Sequence, residues 1–332
     1  MRRLLAVVTF LLILSISSLA LAKEVSRPLK KEGPTEVQIQ VFVVDLDSVD
    51  TAGQSFEANV YYTVTWYDPR LKGLSKDKIR RPITEVWNPR IQFLNQQLIW
   101  KTFPETVAIF PSGIVSYRQR VWGSFSQPLD LRNFPFDEQT FKIVFVSTDY
   151  DKSEVNFVTA KELKNGIAPK FSVADWKITG WKLETLPGKI TPEKESYIMS
   201  IEASRRVGYF ILQMIIPLCL IVMMSWTVFW IDPKQSGTQI GVATTAILTL
   251  IAYRFMVGIE LPKFSYLTRL DFFVMTSTIL VFASLVEVIT TSWFARNNKV
   301  RLARRIDVWA RVLFPVLFAL CALEALVFNF FI

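Results

Sequence analysis

The last third of the chain, Val207 to Ile332, holds four hydrophobic spans behind a polar region of domain size, and this limits the fold more than any other feature. Span one, Val207 to Ile231, runs 25 residues without a charge. As a helix it would reach about 37 Å, against a hydrocarbon core of about 30 Å. Spans at about 268–294 and 307–332 are similar. Span two, about 238–261, differs: Gly241, Thr244, Thr245 and Thr249 fall in its first half. Lipid cannot hydrogen-bond such groups, so they face a bundle interior or water.

Residues 1–22 read as a secretory signal peptide, with Arg2 and Arg3, an apolar run Leu4 to Ile16, and Ala20-Leu21-Ala22 as the cleavage site. A fifth membrane helix is the competing reading. Arg2 and Arg3 are the leader's only charged side chains, so removing it takes the net charge from +9 to +7 (9 − 2). Arg296, Lys299, Arg301, Arg304 and Arg305 lie in the short stretch between spans three and four. The positive-inside rule puts that stretch in the cytoplasm. Four crossings then place the N-terminal domain and the C-terminus on the outer side of the cell membrane. The basic run is explained by topology, which argues against a nucleic-acid role.

Cys219 and Cys321 both fall inside hydrophobic spans, where they read as small buried hydrophobes, and the polar region has no cysteine to bridge. The chain has no histidine, which removes the usual metal ligand, the usual proton switch and Ser-His or Cys-His nucleophilic machinery. We expect no enzyme, no catalytic residue, no metal and no cofactor.

Residues 23–206 punctuate like an all-β domain. In Phe56 to Trp66, alternate residues Phe56, Ala58, Val60, Tyr62, Val64 and Trp66 form one apolar face. Val37, Ile39, Val41 and Val43 repeat the period, as do Phe141, Ile143 and Phe145. Asp68-Pro69, Asn88-Pro89, Pro111-Ser112-Gly113, Pro187-Gly188 and Thr191-Pro192 signal turns. The spacing predicts an immunoglobulin-like β-sandwich, with a short helix only near Lys23 to Glu32 or Ser75 to Arg80. An all-α domain of four transmembrane helices, 207–332, follows it.

The order of several motifs is more specific than any one. Trp87-Asn88-Pro89 comes first, then Phe134-Pro135-Phe136-Asp137, Gly180-Trp181, Arg205-Arg206 before span one, Pro217 within it, and Leu261-Pro262 closing span two. Together they resemble the pentameric ligand-gated ion channels, the Cys-loop receptor superfamily, over essentially the whole mature chain. Gln127 and Phe141 stand where animal members place two cysteines, and the loop 295–305 is short. Both features look like the prokaryotic branch.

The resemblance implies a homopentamer in a lipid bilayer that passes small inorganic ions. Gating would follow an unknown small agonist, or protons or hydroxide. Pro262 would mark the end of the pore helix, placing Gly241, Thr245, Leu248, Ala252, Phe255 and Ile259 on the lumen. Their spacing of four and three keeps one helix face, which a core-packing stripe would also show. Asp232 and Glu260 would form acidic rings at the two mouths, which leans the selectivity toward cations. Arg254 needs an acid, and Glu287 and Glu324 are the in-span candidates.

Gating would couple through Arg205, Asp137 and Asp50, with Pro135, Pro262, Lys263 and Tyr266 at the same junction. The resemblance implies an aromatic ligand box from Tyr61, Phe93, Tyr150 and Tyr197, suited to a cationic amine. Thr148 occupies the place of a key tryptophan. A pH response would rest on Asp45, Asp47, Asp50, Asp149 or Asp151. The rival reading is a non-conducting, membrane-anchored solute sensor.

Overall fold

The computed structural model describes residues 26–28, 33–159, 165–191, 194–260 and 266–328, with the side chains of 187–191, 259–260 and 327–328 left aside. The leader, Pro262 and Lys263 lie outside the described residues.

The N-terminal domain is built from β1 (Thr35–Asp50), β2 (Ser55–Tyr67), β3 (Ile79–Pro82), β4 (Ile91–Phe93), β5 (Gln96–Lys101), β6 (Thr106–Ile109), β7 (Ile114–Ser126), β8 (Glu138–Ser147), β9 (Val155–Thr159), β10 (Gly166–Ile167), β11 (Trp176–Thr191) and β12 (Lys194–Arg205). One sheet runs β10-β1-β2-β7-β6-β3, with β5 on β7 and β9 on β1; the other runs β11-β12-β8-β4. The first sheet is mixed, because β1 pairs antiparallel with β2 and parallel with β9 and β10.

The period-two faces close on each other. Phe56, Ala58, Val60, Tyr62, Val64 and Trp66 are all buried, as are Val37, Ile39, Val41 and Val43 opposite them on β1. Phe141, Ile143 and Phe145 of the second sheet complete the core. Each large side chain withdrawn from water contributes about 1.5–3 kcal/mol.

Two expectations are corrected here. Residues 79–82 form β3, paired with β6, rather than a short helix. Pro187-Gly188 is no turn: β11 continues through it to Thr191, absorbing the mismatch as a register shift against β12.

Four helices long and apolar enough to cross a membrane follow, and the chain is a multi-pass membrane protein: α1 (Gly208–Trp230), α2 (Ser236–Glu260), α3 (Arg269–Arg296) and α4 (Val300–Leu323). Proline shapes two of them. The ladder of α1 opens into a π turn at Ile211–Ile215, just ahead of Pro217, which has no N–H to give. In α4, Pro315 leaves the carbonyl of Arg311 without its helical donor, and the indole N–H of Trp226 on α1 donates to it instead at 3.1 Å. A capping box starts α3: Thr268 Oγ1 accepts from Asp271 N at 3.1 Å, while Asp271 Oδ2 accepts from Thr268 N at 3.1 Å. Cys219 and Cys321 are free and half-buried.

Candidate functional site

The two domains meet at an ion pair. Arg205 is the last residue of β12, and Asp137 ends the loop between β7 and β8. Arg205 Nε donates to Asp137 Oδ1 at 2.7 Å and an Nη to Oδ2 at 3.1 Å. The side chains are 6% and 1% exposed. The guanidinium lies 4.3 Å from the Trp176 ring centre, 4.9 Å from Phe134 and 5.9 Å from Phe210. Gln139 Nε2 donates to Asp137 Oδ2 at 3.0 Å, a third hydrogen bond to the carboxylate. A charge pair this dry survives only because both groups are hydrogen-bonded and stacked; removing one partner costs about 3–5 kcal/mol.

The same loop holds the start of α3. Tyr266 Oη accepts from Leu131 N at 3.1 Å and donates to Leu129 O at 3.4 Å. Arg269 N donates to Arg132 O at 3.0 Å and Leu270 N to Phe134 O at 3.3 Å. Phe134 packs edge-on against Phe210 of α1, with centres 4.9 Å apart, and Pro135 is buried behind it. Arg205, Asp137, Pro135 and Tyr266 therefore come together.

Asp50 does not join them. Its Oδ1 accepts from Ala52 N at 3.0 Å and Gly53 N at 2.8 Å, so it is used up closing the β1–β2 hairpin. Of the cage residues, Trp176 and Phe210 escaped the sequence reading and Phe134 entered it only within its motif, since only strand register sets Trp176 opposite Arg205. In the sequence Gln127 is only a departure from the family pattern. Its amide donates to Thr140 O at 2.6 Å and accepts from Lys142 N at 2.7 Å, clamping both sides of Phe141.

Helix α2 divides cleanly. Ala243, Ala246, Leu250, Tyr253 and Val257 are buried against the chain, with Tyr253 Oη donating to Met214 O at 2.7 Å. Gly241, Thr245, Leu248, Ala252 and Phe255 lie on the uncovered face, Leu248 61% and Phe255 72% exposed. Ile259 and Glu260 belong to the helix, but their side chains lie outside the description. Asp232 is not a free acidic ring: Arg304 pairs with it at 2.8 Å. The backbone amide of Lys234 and the Arg304 guanidinium hold its carboxyl below the usual range. Arg254 is exposed, and Glu287 turns toward Asp307 instead of toward it.

The aromatic box does not assemble within the chain. Phe93 is 6% exposed and packs on Tyr62, Phe125 and Phe145. Tyr197 is fully buried and donates to Ile39 O at 3.0 Å, and Tyr150 accepts from Trp87 Nε1 at 2.8 Å. Phe93 and Tyr197 serve packing, and Tyr150 stays half-buried. Tyr61 reaches an open surface, a concavity of ≈ 940 Å³ that it lines with Glu36, Thr63, Phe110 and Arg118.

Among the five aspartates considered for pH sensing, Asp45 is bound by Ser172, Asp149 pairs with Arg90 at 3.5 Å, and Ser153 holds Asp151 low. Asp47 moves the other way. Burial raises it above its ordinary value, with repulsion from Asp45 and Glu57 added, although the Trp122 indole N–H at 2.8 Å opposes the shift.

A β-sandwich with a buried ion pair at the point where its last strand runs into four membrane helices defines a receptor-like membrane protein. Residues 20–212 match the neurotransmitter-gated ion-channel ligand binding domain, and residues 214–301 match the neurotransmitter-gated ion-channel transmembrane region. The chain belongs to the neurotransmitter-gated ion-channel family, the Cys-loop superfamily, whose members are channels and not enzymes. It is similar to gamma-aminobutyric acid receptor subunit gamma-1 of Rattus norvegicus, 30% identical over 285 residues, covering 82% of this chain and 60% of the relative. The human gamma-1 subunit is 30% identical over 286 residues, with 82% and 61% covered, and the human gamma-3 subunit is 28% identical over 282 residues, with 80% and 59% covered. The chain thus spans about 60% of the length of the curated relatives it matches. These relatives are animal proteins and lend no support to the prokaryotic branch.

Proposed function

We propose that this chain is the subunit of a ligand-gated ion channel of the plasma membrane, five identical copies surrounding a pore lined by the uncovered face of α2. The reading rests on one observation. The loop 128–137 grips both flanks of α2: Asp137 holds the strand that enters α1, and Leu129 to Phe134 hold the segment that leads into α3. A movement of the β-domain therefore has a direct mechanical route to the pore helix.

Gly241 and Thr245 keep the cytoplasmic half of the stripe small-sided and wettable, while Leu248 to Phe255 form a hydrophobic stretch that closes by dewetting. Thr245 Oγ1 donates to Gly241 O at 2.9 Å, so its hydroxyl adds no unmet polar demand. Arg254 faces the neighbouring copy. The β-domain and the C-terminus lie outside the cell. Cation selectivity, with Asp232 paired, rests on Glu260 alone, and the prokaryotic branch rests on Gln127, Phe141 and the short loop 295–305.

The Tyr61 concavity is half of a ligand cleft that a second copy completes. The relatives carry gamma-aminobutyric acid in their names, so this amine is the first agonist to apply. Protons acting at Asp47 are the second.

Currents through purified protein in a planar bilayer test the reading, with both agonists applied across a NaCl gradient. Gated unitary current supports it, and reversal near the chloride potential would remove cation selectivity. Silence, together with no leak from Leu248→Ser, would leave a protein that does not conduct.

A further inference from the structure

Glu287 on α3 and Asp307 on α4 form a pair that the channel reading does not use. Asp307 is 1% exposed. Both of its carboxyl oxygens and both of those of Glu287 are closed to solvent, and among the described residues none receives a hydrogen bond from a donor. The two carboxyl groups face each other across the contact between the helices. Their depths agree: Glu287 stands about 14 Å before Arg296, and Asp307 about 10 Å beyond Val300, at 1.5 Å per residue.

Of the surrounding charges, Arg311 attracts an ionised Asp307 and Asp232 repels it, and neither donates a hydrogen bond to the pair. Arg311, one turn along α4, has its Nε on Phe229 O at 2.9 Å and its plane 4.6 Å from the Trp230 ring. Arg304 is bound to Asp232 at 2.8 Å. The donors of this part of α1 are committed elsewhere: Trp226 Nε1 to Arg311 O at 3.1 Å, Ser225 Oγ to Val222 O at 2.8 Å and Thr227 Oγ1 to Met224 O at 2.7 Å. On α2, buried Gln239 donates to Ile231 O at 2.9 Å, and its own Oε1 lacks a donor. Burial is already complete within one chain, so a neighbouring subunit or a lipid headgroup cannot reach these oxygens. Two ionised carboxylates cannot share a site that excludes both water and donors.

We propose that Glu287 and Asp307 hold one proton between them, a carboxyl–carboxylate hydrogen bond that fastens α4 to α3. The proton supplies the donor that the protein does not. Of the four helices α4 is the least covered by its neighbours, so a single polar tie carries unusual weight there.

Infrared difference spectra of the full-length protein in lipid at neutral pH test this. A protonated carboxyl has a C=O band separate from carboxylate and amide bands. The wild type should show it, and Glu287→Gln and Asp307→Asn should each abolish the pair's whole band, because the new amide donates and the remaining carboxyl ionises. A wild type without the band, or loss of only half in each variant, overturns the proposal. Glu287→Leu should lower the melting temperature of the assembled protein, with Glu287→Gln restoring it; unchanged melting in Glu287→Leu would also overturn it. Should the leucine variant fail to fold, the spectra of the two amide variants still decide.

Discussion

Trp176 and Arg205 stand opposite each other on β11 and β12, and the guanidinium lies 4.3 Å from the centre of the indole ring. The strand that leads into α1 therefore ends in a cation held on three sides by aromatic rings and on the fourth by Asp137. Charge, stacking and register coincide at the one place where the β-domain is continuous with a membrane helix.

Arg205→Ala should abolish agonist-evoked current. It leaves Asp137 buried and unpaired, at a cost of about 3–5 kcal/mol, so surface expression should also fall. The double variant Arg205→Ala/Asp137→Asn removes the stranded charge. It should regain surface labelling but not current, which separates coupling from folding. Wild-type-like currents in Arg205→Ala would remove the junction from gating.

Gln127→Ala deletes two hydrogen bonds across the 128–141 loop, at 2.6 and 2.7 Å. At about 1 kcal/mol for each bond, the loss is about 2 kcal/mol, visible as a lower melting temperature of the whole protein. An unchanged melting temperature would mean that the loop is held without it.

Asp47 has a raised carboxyl, so the folded protein binds that proton more tightly than the unfolded chain does. Its contribution to stability is complete below the ordinary value of 3.8 and is lost as pH rises through the folded-state value. Asp47→Asn should therefore remove the part of the melting-temperature loss that sets in as pH rises through that value, relative to wild type. If protons gate the channel here, the same variant shifts the pH of half-activation. Identical pH profiles for both proteins would exclude Asp47 from either role.

Leu248→Thr wets the middle of the uncovered α2 face and should give current without agonist. The control is Leu250→Met, on the buried face, where Leu250 is 3% exposed and a volume-conserving change costs under about 1.5 kcal/mol. Leak from the control but not from Leu248→Thr would reverse the assignment of faces.

The sequence alone determined the architecture, because period-two strands and uncharged spans of membrane length are local patterns with few physical solutions. It also determined which α2 residues share a face, since helix spacing places Leu248 and Phe255 together whatever surrounds them; packing decided that this face is the uncovered one. Arg205 and Asp137 were legible as partners only through motif order. Tertiary structure decided the rest: Phe93, Tyr150 and Tyr197 look like recognition residues in sequence, but an aromatic side chain serves core or cleft according to which way its strand face points. Asp50 and Asp232 look free until a hairpin amide and Arg304 claim them. Opposed charges, orphaned carboxyls and caged cations arise between segments far apart in the chain, and only packing brings those segments within hydrogen-bonding reach.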